Sequence, residues 1–183
     1  VPFWLMKFDE LMYFLVGAKS TDDQRPEYRE FRELIVRAKK SNYQLPAGKV
    51  DQDSITADSP IPFNIRQIWY DLNRKVNATY NQAGGAEQTK DTECLIEEGD
   101  AEKLIPAKFT PYSMSNQAPY RAKDTTFYAY EKKLIARLKD STYDFMFYPG
   151  KYRDGDSGKD LNDLLMEWID GDERLTILDL SNV

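Results

Sequence analysis

The chain has 183 residues, enough for one ordinary domain or a large piece of one. Its 25 basic and 31 acidic side chains leave a net charge of −6, which argues against a free-standing nucleic-acid binder with a broad basic footprint but leaves room for a local patch. There is no histidine and a single cysteine, Cys94, which removes Ser-His and Cys-His nucleophile pairs, most zinc sites and any internal disulfide. Cys94 stands before Leu95-Ile96 and reads as a structural thiol in a reducing cytosol. No apolar run approaches the roughly 20 residues of a membrane span. The N-terminus also lacks the pattern of a signal peptide, so the expected setting is cytoplasmic, with no membrane partner.

In chain order, residues 9–16 read as a short apolar helix with Asp9 as its N-cap and Gly17 as its stop. Pro26 opens a second helix, in which Tyr28, Phe31, Leu34, Ile35 and Ala38 recur at helical spacing. Its opposite face, Arg29, Glu30, Arg32, Glu33, Arg37 and Lys40, reads as solvated. After a polar loop over 41–60, Asn64 caps a third helix whose stripe is Ile65, Ile68, Trp69, Leu72 and Val76. The Asn- and Gly-rich stretch from Asn77 to Lys90 breaks the pattern. Residues 91–123 are the least regular, with Phe109, Pro111 and Tyr112 expected to pin them to a core surface. Asp124 caps a fourth helix to about Lys139, with Phe127, Tyr130, Leu134, Ile135 and Leu138 inward. Its basic end, Lys132, Lys133, Arg137 and Lys139, complements a helix dipole or meets an acidic partner or the DNA backbone. Tyr143 to Tyr148 reads as a strand, Leu161 to Gly171 as a helix with Leu161, Leu164, Leu165 and Trp168 inward, and Leu175 to Leu180 as a second strand.

The expected fold class is therefore α/β but predominantly helical. It has four to five helices, with a mostly helical part over 1–140, interrupted by irregular loops at about 41–60 and 80–123, and a parallel βαβ unit over 141–183. Two parallel strands need helices on both faces, so the rest of such a sheet must come from elsewhere. The apolar ends, Val1-Pro2-Phe3-Trp4 and Leu180-Ser181-Asn182-Val183, read as a segment of a longer protein.

One loop invites a catalytic reading. "FYPGKYRDGDSGKDL", residues 147–161, holds Gly-Lys twice between a strand-like and a helix-like run. The phosphate-loop pattern needs glycine where Arg153 stands and a magnesium-binding hydroxyl where Asp160 stands. A calcium loop starting at Asp154 and Asp156 fails at Gly158, at Lys159 in the glycine position and at Leu165 in the glutamate position. The stretch reads as a solvated strand-to-helix connection. Its clustered carboxylates, Asp154, Asp156 and Asp160, lack the burial that general-acid work requires.

Several phrases then align with one family. "VPFWLMKFDELMYFL", "SPIPFNIRQIWYDL", "EEGDAEKLIPAKFTPY", "RLKDSTYDFMFYPG" and "LTILDLSNV" resemble, in the same order, landmarks of HerA-type ATPases, relatives of the FtsK-like DNA translocases. The resemblance implies a RecA-like core, hexameric rings, ATP with magnesium in the parent ATPase, DNA as the track and a nuclease partner. The matched part is the helical insertion between the two nucleotide motifs plus one βαβ unit. Neither motif is present, and Asp179 is followed by Leu180-Ser181 rather than a catalytic glutamate, so no catalytic, cofactor-binding or metal residue is carried over. The expected contacts with a neighbouring subunit or DNA are Arg121, Lys123, Lys132 and Arg137. The competing reading is a helical protein-interaction module unrelated to ATP hydrolysis, which fits the acidic balance and the charged helix faces.

Overall fold

The computed structural model of the chain describes residues 2–43, 51–82, 92–115, 117–122, 126–148, 159 and 161–171. Helices dominate it: α1 (Phe8–Val16), α2 (Pro26–Asn42), α3 (Ile65–Asn77), α4 (Tyr128–Leu138), the single turn α5 (Asp144–Phe147) and α6 (Leu161–Asp170). Four short strands, β1 (Thr79–Tyr80), β2 (Leu95–Glu97), β3 (Lys108–Phe109) and β4 (Tyr120–Arg121), form two antiparallel pairs, β1 with β4 and β2 with β3.

The helices follow the apolar stripes. On α3, Ile65, Ile68, Trp69, Leu72 and Val76 are all buried, and Asn64 Oδ1 accepts from the N–H groups of Arg66 and Gln67 at 3.0 and 3.1 Å. On α2, Tyr28, Phe31 and Ile35 are buried. On α4, Tyr130, Leu134 and Leu138 face the same core beside Phe127. Gly17 ends α1 in the left-handed region at φ 69°, where its N–H reaches Tyr13 O at 2.9 Å and the Ala18 N–H reaches Met12 O. A side chain at that φ would be strained, which is why glycine fits there.

Several expectations are corrected. Asp9 does not cap α1, because the helix starts at Phe8 and the Phe8 N–H is taken by Asp58 Oδ1 at 2.7 Å, 50 residues away. Residues 143–148 are not a strand: a 3-10 turn over Ser141–Tyr143 runs into α5. Asp140 Oδ1 caps that turn through the Thr142 N–H at 3.1 Å. Met146 and Phe147 are then buried, with the Phe147 ring 5.7 Å from Phe3 and 6.1 Å from Phe14. Tertiary packing of aromatics overrides their strand propensity here. The first strand of the expected parallel unit is thus absent, while its second strand (175–180), most of the connecting loop and the cap at Asp124 lie outside the described residues. α6 is present, but Trp168 is 46% exposed, whereas Leu165 and Met166 pack on the core.

The polar loop after α2 is anchored by a buried cation. Lys39, of a residue type that is usually solvated, is 1% exposed. Its Nζ donates to Ala57 O at 2.7 Å, Ser59 O at 2.6 Å and Trp4 O at 3.5 Å. One side chain therefore joins α2, the loop over 55–59 and the N-terminal turn.

Candidate functional site

The end of α3, β1, the chain leaving β3 and α4 enclose a cleft of about 430 Å³. Its walls include Asn73, Asn77, Thr79, Phe109, Tyr112 and Lys132. Asn73 and Asn77 lie one turn apart on α3, and Asn77 Nδ2 donates to Asn73 O at 2.8 Å. Thr79 Oγ1 donates to Thr110 O at 2.7 Å, the Cys94 N–H to Thr79 O at 2.7 Å and the Thr110 N–H to Cys94 O at 2.9 Å. These bonds fix the strand wall, in which the half-buried Cys94 contributes backbone only. Tyr112, 44% exposed, forms the rim rather than pinning the segment to the core. Gly99 serves the neighbouring hairpin, where a Cβ would fall 2.2 Å from Ile105 O. No side chain fits so close an approach of backbone.

Beneath the cleft lies a buried carboxylate. Glu131 is 1% exposed, and its Oε1 accepts from Trp69 Nε1 at 3.0 Å and from Asn73 Nδ2 at 2.8 Å. Lys132 Nζ stands 3.1 Å from Oε2 and 5.4 Å from the Tyr128 ring centroid. A carboxylate needs donors, so it fixes which way the Asn73 amide is turned: Nδ2 inward to Glu131. Asn73 Oδ1 is left buried, with no hydrogen-bond partner among the described residues.

The basic residues expected to make contacts separate into two groups. Lys132 lines the cleft, and Arg121, the register partner of Thr79, places its guanidinium 5.5 Å from the Tyr112 ring centroid at the rim. They stand on different rings, Arg121 on Tyr112 and Lys132 on Tyr128. Arg137 lies elsewhere: Nε donates to Phe14 O at 3.1 Å, Nη1 donates to Tyr143 OH at 3.2 Å, and both rings lie 5.3 Å from its guanidinium. Lys133 Nζ donates to Val16 O at 2.8 Å. The end of α4 therefore complements a helix dipole, but it is the carboxyl end of α1, whose last carbonyls lack helical partners. Lys123 lies outside the described residues. Sequence reasoning missed Asn73 and Glu131. Their signal was position: Asn73 falls four residues after Trp69, and Glu131 four after Phe127, both on apolar stripes.

Among the described residues, no group of three His, Cys, Asp or Glu side chains converges on a point that would hold a metal. The tightest glycine, Gly99, is filled by backbone and offers no cradle. Also among them, no helix is long and apolar enough to cross a membrane.

A helix-rich packing with small antiparallel strand pairs is compatible with part of an α/β ATPase domain. The family model described as "Helicase HerA, central domain" matches residues 1–183, and the chain belongs to that family. No curated protein matches it.

Proposed function

We propose that this chain is a structural and contact region of an ATP-dependent DNA translocase, with ATP and magnesium held by parts of the ATPase other than these residues. The observation that carries this reading is the family match over residues 1–183 in a sequence with neither nucleotide motif. Its partners are then the remainder of the ATPase, neighbouring subunits of a ring, DNA and a nuclease acting on the same DNA. The cleft rim supports the contact role, because the exposed Arg121 sits beside Tyr112 at the edge of the cleft that Lys132 also lines. Cations of this kind neutralise phosphates and release counterions, so their contribution is read from salt dependence.

The test is duplex DNA binding by the chain, measured by fluorescence anisotropy between 50 and 200 mM salt, a range over which counterion release is easily resolved (about 50–200 mM). The double variant Arg121→Glu/Lys132→Gln is expected to bind about tenfold or more weaker, with a log-log salt slope shallower by about 2. Unchanged affinity and slope, with an unchanged circular dichroism spectrum, would remove these residues from the contact.

A further inference from the structure

Two helices carry opposite charge on their outer sides. On α2, Arg29, Arg32, Glu33, Val36, Arg37 and Lys40 fall within about 140° of one another around the axis, opposite the buried Tyr28, Phe31 and Ile35. Four cations and one acid thus share a face. A groove of about 380 Å³ runs along it, lined by all of these residues except Arg29, with the half-buried Val36 among them. Arg32 lies 3.5 Å from Asp9 and Lys40 3.4 Å from Asp53, both loose surface pairs that leave the face basic. On α6 there is no Lys or Arg, and Asp163, Glu167 and Asp170 are exposed. The last turn holds Asp170 and no base, against the helix dipole, so a cation brought from outside is favourable there. Leu165 and Met166 pack on the core, which leaves Trp168 on the outer side at 46% exposure, one turn after the half-buried Leu164. Trp4 and Trp69 are each 1% exposed. The outer face of α6 is therefore apolar along one edge and acidic along the other.

We infer that α6 of one copy docks on α2 of a second copy, seating Trp168 in the groove beside Val36 and setting Asp163 and Glu167 against its cations. This rests on the subunit-contact reading above and names the two surfaces. Both faces are open in the same chain, so they do not cover each other within it. The groove has room for one aromatic side chain, and guanidinium groups beside an indole add a cation–π attraction. A partly exposed Trp entering a pocket rimmed by charge is the usual make-up of an interface anchor. Duplex DNA suits the α2 face less, because Glu33 would meet phosphate and Val36 would meet no apolar group on the backbone. The two patches differ, so the contact is head-to-tail rather than self-complementary.

Sedimentation velocity of the chain over a concentration series, followed in parallel by Trp fluorescence, tests this. The expected result is reversible self-association with a blue shift and weaker acrylamide quenching, both reporting Trp168 because the other two indoles are already buried. Arg37→Glu and Trp168→Ala, both at exposed positions, each weaken association by about tenfold or more with an unchanged circular dichroism spectrum. Glu33→Gln removes the one acid of the basic face and tightens association, a gain that misfolding does not produce. Mixing Arg37→Glu with Trp168→Ala restores a pair and nothing larger, because each variant keeps the surface that the other has lost. A wild type that stays monomeric at every concentration overturns the inference. So does wild-type association by either single variant, or the absence of a pair on mixing. A monomeric wild type whose duplex binding falls in Arg37→Glu assigns the α2 face to DNA instead. If self-association is absent while Arg121→Glu/Lys132→Gln still loses duplex binding, the DNA-contact role stands and only this interface falls.

Discussion

Lys39→Ala is expected to destabilise the fold by about 3 kcal/mol, combining the cavity left by a long buried stem with the loss of donors to buried carbonyls. For a chain of this size that lowers Tm by about 6–12 °C, measured by thermal circular dichroism. Lys39→Met keeps most of the volume and loses only the donors, so it should cost less than Lys39→Ala. The pH profile distinguishes the charge from the packing. Burial pushes the Lys39 ammonium down from 10.5 to about 8, with Asp58 pulling the other way. Below about pH 8 the folded and unfolded states are both protonated, and the penalty for the buried charge is fully present. Between about 8 and 10.5 the unfolded state holds more protons than the folded one, so stability rises with pH. The neutral amine keeps two N–H donors, which match the two short bonds to Ala57 and Ser59.

At still higher pH the tyrosines reverse the trend. Burial, then the hydrogen bond to Asp9, raises the Tyr28 hydroxyl well above 10. Burial likewise raises Tyr70, Tyr80 and Tyr130. Above pH 10 these groups ionise in the unfolded chain before they do in the folded one, and stability falls. The wild-type Tm should therefore climb above pH 8 and decline beyond about 10. Lys39→Met should show the decline without the climb. A climb of equal size in Lys39→Met would refute the assignment.

Glu131→Ala is the second large effect, expected to cost about 3–5 kcal/mol because it strands two buried donors on α3. The Glu131 carboxylate is the only hydrogen-bonded acceptor recorded for Trp69 Nε1 and for Asn73 Nδ2 among the described residues. Both donors lie on α3 and the acceptor on α4, so the loss falls on the α3–α4 contact. Glu131→Gln keeps one oxygen of the same shape and should cost less than half as much. Urea unfolding followed by Trp fluorescence checks both variants. A Glu131→Ala midpoint equal to that of the wild type would mean that water replaces the carboxylate and that the site is not dry.

The parts legible in the sequence are those set by local periodicity. Asn64 and the stripe from Ile65 to Val76 place α3 residue by residue, and Gly17 marks the end of α1 because only its φ suits that stop. What stayed hidden depends on residues far apart in the chain. Asp58 replaces Asp9 as the donor's partner at the start of α1 through a contact across 50 residues. The aromatic run at 143–148 looks like a strand until Phe3 and Phe14 are seen to pack on Phe147. Lys39 looks solvated by residue type, yet it lies four residues after Ile35 on the buried side of α2. The cleft is the extreme case, since Asn73, Thr79, Tyr112 and Lys132 come from four separate segments. The two basic residues at that site were visible as charge, but not the rings they lie on, Tyr112 for Arg121 and Tyr128 for Lys132. The carboxylate beneath them was masked by its type, although its position between Phe127 and Leu134 on the stripe pointed inward.

On the proposed reading, these residues supply contact and structural chemistry, with nucleotide turnover performed elsewhere in the ATPase. The most direct measurement is phosphate release by the purified chain with ATP and magnesium, with and without duplex DNA. The expected rate is that of the buffer alone under both conditions, because the sequence holds no phosphate-loop motif and no metal-binding group of three carboxylates occurs among the described residues. Magnesium-dependent, DNA-stimulated turnover by this chain would contradict the account.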